Sequence, residues 1–324
     1  MAGQAPSRHR PGRARRPGSN GRRGDRKGRL TEPVGWSLDP GAIGAVAVVG
    51  AAYGVRARTL RRAGRPVEGW RQASFFSGLA ILLAALISPI DTIGESRSFY
   101  VHMVQHLMLG DLAPLALVIG FTGPILRPVL ALPLVGRLRV LAHPLVALPA
   151  WTIAFYVWHL PAAYEAALAN PAVHALEHLS FFCTGLMIWA AVIEPLPGPA
   201  WFGNGAKAAF VLVMRTLGAM LATVFIWAGS PLYPDYAAGE RAWGIAPLTD
   251  QTIGGLIMFT EGATITLIVF AWLFLRWLRE AEVRQSLLEQ GRDPSRADRS
   301  ARYGRSPRSG LTAPVTRSAL RRQP

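Results

Sequence analysis

The chain has 324 residues, 51% hydrophobic and only 17% charged, yet its formal net charge is +16. Residues 1–39 hold ten Lys/Arg against three acids and residues 276–324 hold twelve against five, so each end is +7 and residues 40–275 are only +2. This excludes a soluble domain in which apolar and charged residues alternate along each element, and a single cysteine, Cys183, excludes a disulfide scaffold.

Taken in chain order, apolar runs long enough to cross a hydrocarbon core of roughly 30 Å fall near Leu38–Val55, Ala73–Ile90, Phe99–Gly120, Leu141–Leu160, Ala172–Ile193, Ala206–Ala228 and Thr252–Leu275. The first is shorter and built of Gly, Ala and Val, and Val129–Val135 is too short to cross and reads as a loop or interfacial turn. No run alternates with the period of a barrel strand. The expected fold is an all-α polytopic membrane helical bundle of seven transmembrane helices, six if the first segment does not span. Residues 1–37 form a basic extension, 38–278 the membrane domain and 279–324 a basic tail. Both ends are rich in Arg, Gly, Pro and Ser and are expected to be disordered.

Short loops set the orientation. Arg56, Arg58, Arg61, Arg62, Arg65 and Arg71 crowd the first, Arg127, Arg137 and Arg139 the third, Lys207 lies by the fifth, and Arg276 and Arg279 open the C-terminal tail. The intervening loops carry mostly acids, among them Asp91, Glu95, Glu165, Asp235, Glu240 and Asp250. The basic set belongs in the cytoplasm, with the C-terminus. Seven spans then place the basic residues 1–39 outside; either the arginines of the first loop overrule them, or the first segment does not cross. A cleaved signal is the third reading, opposed by the long segment before it and the lack of a small-x-small site. With no stacking aromatics or nucleic-acid module among the tail arginines, the partner expected for the tails is anionic lipid and not nucleic acid.

Ionisable residues within spans mark pathways or sites, and here most are histidines. His102 and His106, and again His174 and His178, stand four residues apart, which stacks both imidazoles on one helix face within reach of one metal ion. Both helices run inward from the outer surface, and His159 closes the helix between them at that surface. At about 1.5 Å rise per residue, all five lie in the outer half of the bilayer. His143, at the cytoplasmic start of its helix, stands apart. Metal or haem ligation, interhelical hydrogen bonding and a proton relay are the competing uses. Soft thioethers would favour copper, with Met103 and Met108 as candidates, although membrane methionines also serve as filler; haem is the alternative cofactor. Cys183 falls off the histidine face and reads as core. Asp111 and Arg215 stand at similar depth and are expected to pair. Glu177, between two histidines, suits an acceptor that orients an imidazole, and Glu261 has no evident partner. No phosphate loop or nucleophile elbow is present, and HALEH lacks the glutamate position of a zinc-protease helix. No enzyme is expected.

The segments SFYVHMVQHLMLGDLAPLALVIG, AHPLVALPAW, WHLPAAYEAALANPAVHALEHLSFF, SPLYPDY and PLTDQTIGGLIM, in this order, resemble the CtaG family, the caa(3)-type cytochrome c oxidase assembly proteins of bacterial plasma membranes. The likeness runs from about Trp36 to Leu278. It implies a seven-helix protein needed to make an active haem–copper oxidase, with oxidase subunits as partners and copper as the metal it handles. The family's histidines match at His102, His106, His143, His159, His174 and His178, and Asp250 and Gln251 open the last helix. Where the family commonly has Trp followed by Val-Pro-Gly, this chain has Phe259, Thr260, Glu261 and Gly262; without the proline, a straighter and more polar last helix is expected.

Overall fold

A computed structural model describes residues 34–132, 138–236, 239, 241 and 243–291. The expectations for most of both basic tails, including their binding of lipid, fall outside these residues. All regular structure in the described residues is helical. In chain order the helices are α1 (Pro40–Arg62), α2 (Gly69–Ile87), α3 (Pro89–Ser96), α4 (Phe99–Gly120), α5 (Gly123–Leu130), α6 (Pro144–Trp158), α7 (Pro161–Ala169), α8 (Pro171–Ile193), α9 (Asn204–Trp227) and α10 (Pro247–Glu289). Six are long and apolar enough to cross a membrane, and the bent pair α6–α7 makes a seventh if counted as one span. The protein is a multi-pass helical membrane protein.

Proline punctuates these helices. Pro40, Pro89, Pro144, Pro161, Pro171 and Pro247 each sit in the first turn, where the missing N–H has no intrahelical partner to lose. Asp39 and Asn170 supply caps, accepting from the N–H groups of Gly41 at 2.8 Å and Ala172 at 2.9 Å. α1 forms despite its small residues and continues to Arg62. It docks through Tyr53, whose ring stacks on Phe75 of α2 at 3.8 Å and whose hydroxyl donates to the Gly120 carbonyl at 3.0 Å.

Three expected boundaries change. The run Leu141–Leu160 holds the 15-residue helix α6, and at its end the chain bends by 73° into α7, because Pro161 cannot continue the hydrogen-bond ladder, so this span reaches full length only when the bent pair is counted together. The segment read as a loop from Val129 overlaps the short helix α5, which ends at Leu130. The tail expected to be disordered from residue 279 begins as helix, since α10 continues to Glu289. Its stem is held to the bundle by Asn204 Nδ2, which donates to Glu280 Oε2 at 2.7 Å.

α4 carries the feature that positions the site. A wider π-helical turn over Met108–Leu112 interrupts it two residues before Pro114. Pro114 has no N–H for the carbonyl of Gly110, and that carbonyl sits against Gly185 of α8 where a Cβ would stand. Glycine at 185 is therefore what lets α4 and α8, the two histidine-pair helices, approach closely. Chain direction brings the start of α4, the end of α6, the start of α8 and the start of α10 to one end of the bundle. The arginine-rich connections lie at the other.

Candidate metal centre

Five histidines from three helices meet at that end. α4 supplies His102 and His106, α8 supplies His174 and His178, and His159 closes α6. All are buried, from 0% exposure at His102 to 8% at His178. Ring centroids lie 4.2 Å apart for His102–His106, 3.9 Å for His174–His178, 5.6 Å for both His102–His174 and His106–His178, and 6.2 Å for His106–His159.

The surroundings fix which nitrogen faces inward. His102 Nδ1 lies 3.1 Å from the Gly94 carbonyl and His159 Nδ1 lies 2.6 Å from the Phe155 carbonyl. A carbonyl only accepts, so each ring places its proton on Nδ1 and keeps a lone pair on Nε2. His174 Nδ1 lies 2.7 Å from Glu95 Oε1, with the same consequence. The Nε2 atoms of His102, His159, His174 and His178, both ring nitrogens of His106 and both carboxylate oxygens of Glu177 are buried without a protein hydrogen-bond partner. Each such atom costs about 1–3 kcal/mol if nothing satisfies it. A cluster of lone pairs directed at one another is poor hydrogen-bond packing and a good cation site.

Two overlapping ligand sets result. Donor atoms of His102, His174 and His178 lie within 4.8 Å of one another, as do those of His102, His106 and Glu177. His102 belongs to both. Glu177 approaches His106 Nε2 at 3.6 Å, closer to a shared ligand set than to the orienting hydrogen bond expected of it. Met103 is buried in the aromatic cluster with Phe99, Tyr164 and Tyr233. His143 stands at the opposite end, where its Nδ1 accepts from the Leu145 N–H at 3.3 Å and caps α6.

Asp250 and Gln251 brace the site from α10. Asp250, fully buried, accepts from Ser98 Oγ at 2.9 Å and from the backbone N–H groups of Phe99 at 2.6 Å and Tyr100 at 3.2 Å. Its carboxylate thus caps the helix bearing His102 and His106 and meets the positive end of its dipole. Gln251 accepts from the Leu232 N–H at 2.7 Å and donates to the Phe225 carbonyl at 3.2 Å, tying down the loop after α9. Asp250→Ala is expected to destabilise the protein by about 2–4 kcal/mol, since it strands buried donors, and Asp250→Asn by less. Thermal unfolding in detergent measures both.

Sequence reasoning missed the contribution of α3. Gly94 gives its carbonyl to His102 and is also the acceptor for Tyr236 Oη at 2.9 Å, and Tyr236 in turn lies 2.9 Å from Tyr164 Oη. A Cβ on Gly94 would come within 3.0 Å of His102 Cα, so only glycine lets α3 lie this close to α4. Gln105, fully buried, donates to the Ala85 carbonyl at 2.9 Å and to Asp91 Oδ1 at 2.7 Å. Burial, with Glu95 nearby, pushes the Asp91 carboxyl up to about 6. The order Gly94–Glu95 in the connection between two spans was the available signal, but nothing in its spacing says that the connection folds back.

Deeper in the bundle, Arg215 Nη1 lies 2.5 Å from Asp111 Oδ2, and Trp189 Nε1 donates to Asp111 Oδ1 at 2.7 Å. Glu261 does have a partner, since its Oε2 lies 3.5 Å from the same Arg215 nitrogen. Cys183, expected in the core, is exposed on the side of α8, five positions beyond His178 and away from the packed face.

Among known proteins, the chain is 24% identical over 284 residues to uncharacterized proteins of Mycobacterium bovis and Mycobacterium tuberculosis, covering 81% of this chain and 42% of theirs. An uncharacterized protein of Mycobacterium leprae is 24% identical over 265 residues, or 76% of this chain and 40% of that one. The chain therefore spans less than half the length of these relatives. No solved structure matches it. The profile of the cytochrome c oxidase caa3 assembly factors matches residues 51–280, which hold all five clustered histidines, Glu177 and the residues that brace them. The chain belongs to the cytochrome c oxidase caa3 assembly factor (CtaG) family.

Proposed function

We propose that this protein is a non-enzymatic assembly factor that holds copper in its histidine cluster and passes it to a haem–copper cytochrome c oxidase under construction. The observation that carries the metal is the set of buried imidazole nitrogens and Glu177 oxygens directed at one another without protein partners. Imidazole is a good ligand for copper, and a site of three neutral histidines adds no net charge of its own to the membrane interior. Copper here is cargo. A site that must release its ion is served by overlapping ligand sets that share His102, because the ion can exchange one set for the other without losing every bond.

The orientation supports the same reading. With the arginine-rich connections in the cytoplasm of a bacterial cell, the C-terminus is cytoplasmic and the cluster opens toward the outer face of the plasma membrane. Oxidase subunits are the partners, and the basic ends would sit on anionic lipid headgroups.

The test is made in cells that depend on the oxidase. A variant with His102, His106, His174 and His178 all changed to Ala, present in the membrane at the wild-type level, is expected to yield oxidase lacking copper and activity. Excess copper in the medium should restore part of it. Full oxidase activity in those cells would show that the protein acts as a scaffold and the proposal would fall.

A further inference from the structure

A second feature borders the histidine cluster and extends inward from it. A cavity of about 490 Å³ runs between α4, α6, α8, α9 and α10, within the size range of small-molecule sites. Its walls include the aromatic rings of Trp151, Phe155, Phe181, Trp189, Phe259 and Phe270. Three of its lining residues, Leu212, Phe259 and Leu267, are also 53%, 46% and 73% exposed, which puts an opening on the apolar flank of a bundle that spans the membrane. A molecule dissolved in the bilayer could enter there without crossing water.

The polar groups in this cavity are few and incompletely used. Arg215 gives Nη1 to Asp111 and approaches Glu261, but its Nε and Nη2 are buried without a protein acceptor. Glu261 meets Arg215 only through the 3.5 Å contact of Oε2 with Nη1, and both of its oxygens are buried without a hydrogen bond. Unused guanidinium N–H groups beside a carboxylate that accepts no hydrogen bond recognise an oxygen that both accepts and donates, which is the chemistry of a hydroxyl group. A carbonyl would satisfy only the arginine, and a cation only the glutamate. The aromatic walls select a flat head group, and the lipid-facing mouth suits an apolar tail.

We propose that this cavity is a binding site for a lipid-soluble phenol of the quinol class, with a ring hydroxyl accepting from Arg215 and donating to Glu261. Glu261 then has a use that its sequence context did not suggest. His106 and His159 of the histidine cluster belong to the lining of this cavity, but the hydroxyl is held by Arg215 and Glu261, which are in neither ligand set, so binding here does not require copper.

Gly262 provides a plug on the wall formed by α10. A Cβ there meets nothing closer than Arg215 Cδ and Nη1 at 3.8 Å, so Gly262→Leu fits the helix and projects into the cavity. Gly218, also on the lining, has nothing within 4 Å of its Cβ and gives an independent plug, Gly218→Leu. The experiment titrates the full chain in detergent with decylubiquinol, and with phenyldecane as a tail-matched control without hydroxyls, and follows the thermal unfolding midpoint. The expected result is a saturable rise with decylubiquinol and none with phenyldecane. Either plug should abolish the rise, and Glu261→Gln should weaken the apparent affinity about tenfold, a change of about 1.4 kcal/mol. An equal response to phenyldecane would make the cavity a plain acyl-chain groove. No response, or an undiminished one in whichever plugged variant folds, would overturn the proposal.

Discussion

His102→Ala is expected to remove nearly all Cu(I) binding from the purified protein, while His143→Ala leaves it unchanged. His102 is shared by both ligand sets, so no triad survives its loss, whereas losing His106 or His178 still leaves one set intact. His143 caps α6 at the far end and belongs to neither ligand set. An intermediate effect is expected from Glu95→Gln, because Glu95 touches no metal and acts through His174 by accepting from Nδ1 at 2.7 Å. Outer partners of this kind typically contribute 10- to 100-fold in metal affinity. Competition against a Cu(I) chelator ranks the four proteins. If His102→Ala binds as tightly as the wild type, the shared-ligand arrangement is wrong.

Arg215→Met is expected to be the most destabilising change in the bundle interior, by about 3–5 kcal/mol, because it leaves the Asp111 and Glu261 carboxylates buried without a countercharge. Adding Asp111→Asn and Glu261→Gln removes those charges and should recover most of the loss. The asparagine can still accept from Trp189 Nε1, which now donates to Asp111 at 2.7 Å. Thermal unfolding in detergent compares the single and triple variants. A triple variant no more stable than Arg215→Met would mean that the arginine contributes by filling space against Trp189 and not by neutralising charge.

Much of this architecture was legible because membranes impose strong rules on sequence. The apolar runs and arginine-rich loops gave spans and direction, and direction alone brought His102, His106, His159, His174 and His178 to one end. Depth matching also paired Asp111 with Arg215, since two helices running in opposite directions share a level at equal distances from the same surface. What escaped were contacts made by chain that turns back. Gly94 and Glu95 reach the histidines only because α3 folds against α4, and no periodicity within α3 encodes that. Asp250 was marked by family likeness, yet its role as the cap of a helix 150 positions earlier in the chain is a tertiary fact. The π-helical turn before Pro114 rotates the second half of α4 relative to the first, which helical counting at a fixed 3.6 residues per turn cannot foresee. Glu261 lacked a partner on paper because Arg215 had already been given to Asp111, whereas a guanidinium has donors enough for both.

The central claim is that the clustered imidazoles bind copper. X-ray absorption at the copper edge, together with elemental analysis after Cu(I) loading and removal of excess metal, tests it most directly. One copper per chain is expected, since both ligand sets need His102, with imidazole nitrogen in its coordination shell and none bound once His102, His106, His174 and His178 are all alanine. A wild-type protein that retains no copper, or a quadruple variant that retains as much, would contradict the account, and a Soret band in the purified protein would give the histidines to haem instead.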